Sequence, residues 1–154
     1  MRSLSRLAES PTHRAETMRT PTDAALSRST VLWLSSVGAD GRPHVVPAWF
    51  VWDGERIVLF SKPKARKIRN LRCDPRTMVA LGAAGPHFDV ELIEADAELP
   101  AATAVEVMPA AFAAKYRSLM RRADLSIERF AEVYSQPIVL RPTRFVGYGG
   151  HGWS

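Results

Sequence analysis

The chain has 154 residues, of which 46% are hydrophobic and 24% are charged, proportions typical of one soluble globular domain. They exclude a wholly disordered chain, and no apolar run reaches the roughly 20 residues that a membrane span requires. The N-terminal region lacks the apolar stretch of a secretory signal, and the single cysteine, Cys73, allows no intrachain disulfide. We therefore expect a cytoplasmic protein.

The net charge of +5 is concentrated in one short segment. Residues 61–76 carry a local charge of +6, so the rest of the chain sums to −1. The basic residues of this segment are Lys62, Lys64, Arg66, Lys67, Arg69, Arg72 and Arg76. A focused patch suits a compact anionic ligand better than a long phosphate backbone, and no aromatic residue is interleaved for stacking on a single strand. The pattern therefore disfavours nucleic-acid binding.

The N-terminal residues mix Arg, Ser, Thr, Glu and Pro without apolar periodicity, which predicts a flexible tail over 1–22. Pro21 to Asp23 offer a helix start, and a short helix is expected over 24–28.

Three apolar runs separated by turn signals follow, over 31–34, 44–52 and 56–61. The first turn is glycine-rich, and Asp53-Gly54 is a strong hairpin signal between the second and third runs. Three successive strands joined by tight turns predict an antiparallel meander rather than a βαβ unit.

A helix is predicted over 64–72, with Pro63 in its first turn and Asp74-Pro75 after its end. The helical period places one group of residues on a buried stripe, namely Ala65, Ile68 and Leu71. It places a polar group on the opposite face, namely Arg66, Lys67 and Asn70. A fourth strand is expected over 77–81.

The acidic residues of the next run, 87–99, change parity, which predicts a β-bulge at Leu92-Ile93. Two amphipathic helices are expected next, the second with Asp124 as its N-cap. Their buried stripes are Phe112, Tyr116, Leu119 and Met120 in the first, and Ile127, Phe130, Ala131 and Tyr134 in the second. A last strand over 137–148 completes a mainly β chain, a small β-barrel with peripheral helices. We predict one domain over 23–148 and a glycine-rich C-terminal tail over 149–154.

The sequence carries none of the common catalytic or metal-binding motifs. His44 and His87 are more typical of surface or core positions than of ligands, and we expect no metal site. Cys73 has no paired base, so a bystander thiol is the favoured interpretation. The candidate proton donors are candidates by residue type alone, and tyrosines at helical spacing are more often core residues. These candidates are Tyr116, Tyr134, Tyr148 and His151.

Two features remain that can hold a ligand. The first is a set of phosphate donors near a helix N-terminus: Ser61, Lys62, Arg66, Lys67 and Asn70. A solvated basic helix face is the alternative for this set. The second is the strand around Pro47, which cannot donate to a ladder and therefore predicts a free edge or an irregular stretch there. Exposed backbone groups beside Trp49 are suited to hydrogen-bond a flat heteroaromatic ring.

These motifs resemble a known family. Gly41-Arg-Pro-His-Val-Val-Pro-Ala-Trp-Phe-Val-Trp-Asp-Gly54, followed by Ser61, Lys67-x-x-Asn70-Leu71 and Asp74-Pro75, is similar to the pyridoxamine 5'-phosphate oxidase-like flavin/deazaflavin oxidoreductases. The second half, with Ala113-Ala-Lys-Tyr116, Phe130-Ala-Glu-Val-Tyr-Ser135 and Pro137 to Arg144, resembles the coenzyme F420-dependent subgroup. The ordered match covers about 31–146.

The resemblance implies an FMN-binding split β-barrel and a homodimer with a cofactor site at the subunit interface. It places one strand, Val45, Val46, Pro47, Ala48 and Trp49, against the cofactor ring. It places Ser61, Lys62, Lys67 and Asn70 around the phosphate, with Arg66 where many relatives carry a basic residue. One departure is Glu94-Ala95-Asp96-Ala97, where relatives often have a glycine.

The implied activity is that of a deazaflavin (coenzyme F420)-dependent oxidoreductase, which transfers hydride from the reduced cofactor to a small organic acceptor. The size of the basic patch favours this longer polyanion over FMN, and Arg69 and Arg72 are suited to meet its oligoglutamate tail. The alternatives are an FMN-dependent oxidase or reductase on the same fold and a non-catalytic flavin- or deazaflavin-binding protein.

Overall fold

The computed structural model describes residues 21–83 and 89–149. Within these ranges a short helix, α1, comes first, and seven strands and four further helices follow. In chain order the elements are α1 (Pro21–Arg28), β1 (Leu32–Val37), β2 (Pro43–Ala48), β3 (Phe50–Trp52), β4 (Ile57–Ser61), α2 (Arg66–Cys73), β5 (Arg76–Ala83), β6 (Asp89–Glu98), α3 (Ala104–Val107), α4 (Ala110–Arg122), α5 (Ile127–Val133) and β7 (Gln136–Gly149).

The seven strands form one antiparallel sheet in the order β2-β1-β5-β6-β7-β4-β3. Its two edge strands, β2 and β3, are separated in the chain by Trp49 alone. Seven flat strands at a spacing of about 4.8 Å would hold these edges roughly 29 Å apart, far beyond the reach of one residue. The sheet therefore curls into a barrel that is split at Trp49, which confirms the predicted mainly β split barrel.

Two hydrophobic clusters stabilise this barrel. The first fills its interior and is largely aliphatic, with Leu32, Leu34, Ile57, Leu59 and Ile93 among its fully buried members. The second lies outside β3 and β4, under α4 and α5, and is rich in aromatic residues. Its largest members are Phe60, Phe112, Tyr116, Met120 and Phe130, which confirms the stripes predicted for the two helices. All five residues of β4 are buried, because the strand has a cluster on each face.

The bulge predicted at Leu92-Ile93 is wrong. The pairing of β6 with β5 is unbroken there, and the register shift lies on the other side of β6, where Thr143 is the extra residue of β7. Glu91 points into the barrel and is only 9% exposed, and its carboxylate accepts a hydrogen bond from the Thr22 hydroxyl at 3.1 Å. The acidic residues change parity because one carboxylate is held inside, not because β6 bulges.

Two helix starts also differ from prediction. α2 begins at Arg66, so Pro63 lies in the preceding loop and not in the first turn. α5 begins after Ser126, whose hydroxyl accepts the Arg129 N–H at 3.1 Å, so Asp124 is not its N-cap. Asp124 instead has a φ of 52° and follows the end of α4, in the left-handed conformation that ends many helices.

The predicted tails lie almost entirely outside the described residues, as do His13, His87 and His151. At the boundaries, Pro21 and Thr22 belong to α1, and Gly149 is the last residue of β7. Within the described ranges, no helix is long and apolar enough to cross a membrane.

Candidate functional site

Helix α2 holds the basic patch against one end of the barrel. The strand before it ends at Ser61, which is fully buried and donates a hydrogen bond from Oγ to the Lys62 carbonyl at 3.1 Å. The apolar stripe of α2 is buried through Ile68 and Leu71, as predicted. These contacts fix the side chains that follow β4 relative to the barrel.

The three residues predicted to share the polar face of α2 are not equivalent in the structure. Arg66 is exposed and Lys67 is half-buried, whereas Asn70 is only 5% exposed. The Asn70 amide donates from Nδ2 to the Ser36 hydroxyl at 3.0 Å. Asn70 is therefore buried because β1 supplies a polar partner, and the prediction of an exposed face holds for Arg66 alone.

Lys67 is the one cation of α2 that is half-buried, whereas the arginines of that helix are exposed. Burial lowers the pKa of its ammonium group, since removal from water disfavours the charged form. Within the described ranges no carboxylate pairs with it. A half-buried cation without a protein counter-ion is well suited to an anionic ligand.

Two other cations of the patch are already engaged. Arg76 forms an ion pair with Asp74 at 2.8 Å, and its hydrogen bonds to that carboxylate lower the pKa of Asp74 to about 2. Arg69 donates to the Lys64 carbonyl at 2.9 Å. Within the basic segment, one charge is therefore neutralised at Arg76 and one donor of Arg69 is occupied, so the segment offers a ligand less than its composition indicates.

Strand β2 is an edge of the sheet, as the proline at position 47 predicted. Pro43 and Pro47 have the same parity as Val45, which is 55% exposed. Prolines in edge strands take positions whose N–H would face away from the neighbouring strand. We infer that Val45 offers an N–H to the open edge and that all three residues offer carbonyl oxygens there.

The side chain of Trp49 belongs to the aromatic cluster and does not stand free beside β2. Its indole stacks on Tyr116 at a centroid distance of 4.7 Å and on Phe130 at 5.8 Å. The indole is engaged within the cluster in this way. What the segment 45–49 presents to a flat ring is therefore its backbone.

Tyr116, a candidate proton donor by type, has a structural role. Its hydroxyl accepts the Phe50 N–H at 2.8 Å and lies within donating distance of the carbonyls of Thr30 and Phe50, at 2.7 and 2.8 Å. Burial raises the pKa of this hydroxyl to about 12. The Tyr116 hydroxyl therefore stays protonated at neutral pH, and its hydrogen bonds stabilise the fold.

Sequence reasoning missed Ser36, which lies opposite His44 in the pairing of β1 with β2. Ser36 follows Leu32 and Leu34 at inward positions, and a hydroxyl in that series is a signal for a buried polar contact. The His44 ring is half-buried, and its buried Nδ1 has no hydrogen-bond partner among the described residues. Through Asn70, Ser36 and the pairing of β1 with β2, the basic helix is connected to the open edge.

The other candidates take less specific positions. Cys73 is exposed at the end of α2, and the structure does not describe the side chains of Tyr148 and His151. Over residues 21–83 and 89–149, no cluster of three metal-ligating side chains occurs.

The family model of pyridoxamine 5'-phosphate oxidase matches residues 19–136. This stretch contains the strands β1 to β6 and all five helices. The chain belongs to this family. A search of curated proteins finds no match.

Solved structures with the same fold differ in what they are named for. An F420 reductase is 25% identical, with a TM-score of 0.60, and the match covers 84% of this chain and 98% of that one. A Listeria innocua protein assigned as a pyridoxamine 5'-phosphate oxidase is 19% identical, with a TM-score of 0.62 and coverages of 84% and 96%. The haem storage protein HutZ of Vibrio cholerae is 20% identical, with a TM-score of 0.60 and coverages of 84% and 94%.

Proposed function

We propose that this protein is an oxidoreductase that binds a phosphorylated flavin or deazaflavin between the open edge of β2 and the basic helix α2. One observation carries the proposal: Lys67 is half-buried beside the barrel with a lowered pKa, and no carboxylate of the described chain pairs with it. Bringing a cation into such a position is unfavourable unless an anion compensates it. The flavin-type family and its structural relatives support a phosphorylated cofactor as that anion.

In this proposal, side chains of the basic segment bind the phosphate of the ligand, and backbone groups of β2 bind its ring. Lys67, Lys62 and Arg66 supply charge for the phosphate. Ser61 is fully buried and its hydroxyl donates to the Lys62 carbonyl, so in this proposal Ser61 exchanges that hydrogen bond for one to the phosphate. Asn70 acts through Ser36, because its amide holds α2 against β1. The backbone from Val45 to Trp49 orients the ring with hydrogen bonds.

The bound ring supplies the redox chemistry, and the chain supplies binding, orientation and electrostatics. Two of the candidate proton donors have described side chains: Tyr116 holds its proton between backbone carbonyls, and Tyr134 stacks on Phe130. The reaction proposed is therefore hydride transfer to a small acceptor without a dedicated proton donor from the described side chains.

Coenzyme F420 is the cofactor we favour, with FMN as the alternative. Lys64, Arg66 and Arg72 are exposed, and the described residues include no ion-pair partner for them, so positive charge extends beyond what one phosphate needs. A longer, multiply anionic cofactor uses this surplus. The likeness to an F420 reductase at 25% identity points in the same direction.

A non-catalytic carrier is the second candidate function. The fold is shared with a haem storage protein, so the scaffold alone does not require catalysis. Cofactor binding without reduction of any enone, quinone or nitroaromatic acceptor favours this candidate. Turnover of one of these acceptors favours the oxidoreductase.

We further propose that the protein is a homodimer with the cofactor at the subunit interface. The sheet pairing aligns five apolar residues in one row across its outer face: Pro47, Trp33, Ala80, Leu92 and Val146. Trp33 is 51% exposed in this row. Exposed apolar patches of this kind mark interaction surfaces, and this one adjoins the open edge of β2.

The test compares FMN with riboflavin, which share a ring and differ in the phosphate. We expect the wild-type protein to bind FMN at least tenfold more tightly than riboflavin. Lys67→Ala should weaken FMN binding by about 1.5–3 kcal/mol, or roughly 10- to 150-fold, and leave riboflavin binding nearly unchanged. Titration calorimetry measures both.

Arg117→Ala is the matched control, because Arg117 is an exposed cation on α4, away from the basic patch. Equal affinity of the wild type for FMN and riboflavin would contradict the phosphate assignment. In the same titration, FMN binding far tighter than F420 would overturn the preference for the deazaflavin.

A further inference from the structure

A column of stacked aromatic rings connects the end of β2 to the start of the basic segment. Tyr116 stacks on Trp49 at 4.7 Å with an interplanar angle of 6°, and Trp49 stacks on Phe130 at 5.8 Å. Phe130 in turn stacks on Tyr134 at 4.7 Å. The column therefore runs from the residue that follows β2 to the end of α5.

Lys62 lies over the far end of this column. Its Nζ is 5.7 Å from the centroid of the Tyr134 ring, within the range of a cation–π interaction. The backbone fixes this proximity, because Ser61 pairs with Gln136 across β4 and β7. Lys62 directly follows Ser61, and Tyr134 precedes Gln136 by two residues. The ring and the ammonium group thus meet at a defined place.

A ring and a carboxylate hold a lysine in different ways. A carboxylate neutralises the ammonium group and occupies its N–H donors, whereas a ring face attracts the charge and leaves the donors available. Within the described residues no carboxylate pairs with Lys62. Its position is therefore restrained while its charge and its donors remain open to a ligand.

We propose that Tyr134 is a positioning residue, which holds the Lys62 ammonium group for the anionic end of the bound ligand. Through Phe130 and Trp49 the same column is tied to the end of the ring-binding strand, so it also sets the spacing between the two halves of the site. This inference rests on the proposed function and adds a residue that acts through Lys62 without touching the ligand.

The test is a double-mutant cycle on Lys62 and Tyr134 with FMN and riboflavin as probes, each variant being checked by thermal unfolding. Tyr134→Leu should weaken FMN binding about twofold to fivefold, the range of an exposed cation–π contact, and leave riboflavin binding unchanged. Tyr134→Phe retains the ring face and should bind FMN like the wild type. In a Lys62→Ala background, Tyr134→Leu should have no further effect.

Several outcomes would overturn the inference. They are an equal loss for riboflavin, an equal loss in Tyr134→Phe, and an undiminished effect of Tyr134→Leu in the Lys62→Ala background. If Tyr134→Leu does not fold, a fluorinated phenylalanine at position 134 keeps the shape and removes the negative ring face, and the same twofold to fivefold loss is expected. Full FMN affinity in Lys62→Ala would overturn this inference alone, whereas a wild type that does not prefer FMN to riboflavin would contradict the proposed function itself.

Discussion

The two edge strands of the curled sheet, β3 and β2, differ in whether other parts of the chain cover them. At β3 the backbone N–H of Phe50 is bound by the Tyr116 hydroxyl, and α4 packs over the strand. At β2 no helix covers the edge in the described structure, and Pro43 and Pro47 limit its donors while Val45 is exposed. One edge is closed by a phenol and the other is left open.

The difference shows which edge stabilises the fold and which is available for binding. An open edge strand is a site of unwanted pairing, and prolines are a common protection against it. β2 has that protection and still offers carbonyl oxygens and the Val45 N–H. An edge that is protected from other strands and yet accessible is well suited to a flat ligand with few hydrogen bonds.

Removing the phenol that closes β3 should have the largest effect. Tyr116→Phe leaves the buried N–H of Phe50 without its partner, so we expect a loss of about 2–3 kcal/mol in the free energy of unfolding. Urea denaturation measures it. Tyr134→Phe is the control, because the described residues include no hydrogen-bond partner for its hydroxyl, and it should change stability by less than about 0.5 kcal/mol. Equal losses in the two variants would contradict the closed-edge interpretation.

A charge placed beside the open edge should separate the subunits of the proposed dimer. Trp33→Glu puts a carboxylate at the most exposed large side chain of the apolar row, and we expect the dimer to weaken by about 2 kcal/mol or more, as at other interface hot spots. Sedimentation velocity over a range of concentrations measures this.

Val105→Glu is the matched control, since Val105 is 67% exposed on α3, away from that row. It should leave the dimer intact. A wild-type protein that is monomeric at micromolar concentration, or a loss of the dimer in Val105→Glu alone, would contradict the proposed interface.

The smallest effect concerns Lys115, which packs on the closed edge with its Nζ 4.0 Å from the Phe50 ring centroid. Burial lowers its pKa from 10.5 to about 8. Between pH 8 and pH 10 the unfolded chain therefore binds more protons than the folded chain, and stability should rise with pH across that window. The Lys115 Nζ is buried without a hydrogen-bond partner among the described residues, but the side chain as a whole is only half-buried, so we expect a gain of only about 1 kcal/mol.

Lys115→Met should remove this rise, measured as the difference between variant and wild-type unfolding curves at pH 8 and pH 10. The difference cancels the contribution of Lys67, whose pKa is lowered in the same direction. Above pH 10 the raised pKa of Tyr116 acts oppositely, so the comparison ends there. An identical slope in variant and wild type would exclude Lys115 as its cause.

Sequence patterns predicted the helices and strands well where each face of an element is either uniformly buried or uniformly exposed. The stripes of α4 and α5 and the edge position of β2 are examples. It was wrong where a distant residue changes that environment: Thr22 satisfies an inward Glu91, and Ser36 satisfies a buried Asn70. Neither partner is visible from local pattern, because each hydrogen bond joins segments far apart in the chain.

The sequence likewise predicted some parts of the candidate site and missed others. The basic segment and the open edge are visible in composition and in Pro47, and the family resemblance supplied the class of ligand. The stacking of Trp49 on Tyr116 and on Phe130, and the contact of Lys62 with Tyr134, depend on how α4 and α5 pack over β3 and β4. Only tertiary packing shows which of the cations are engaged.

The most direct test is a crystal structure of the protein with FMN or coenzyme F420 bound. We predict the ring within hydrogen-bond distance of the β2 backbone between Val45 and Trp49, and the phosphate within 3.5 Å, roughly hydrogen-bond distance, of Lys67 Nζ. A ligand bound elsewhere, with Lys67 facing solvent and the β2 edge paired to another strand, would contradict the proposed site.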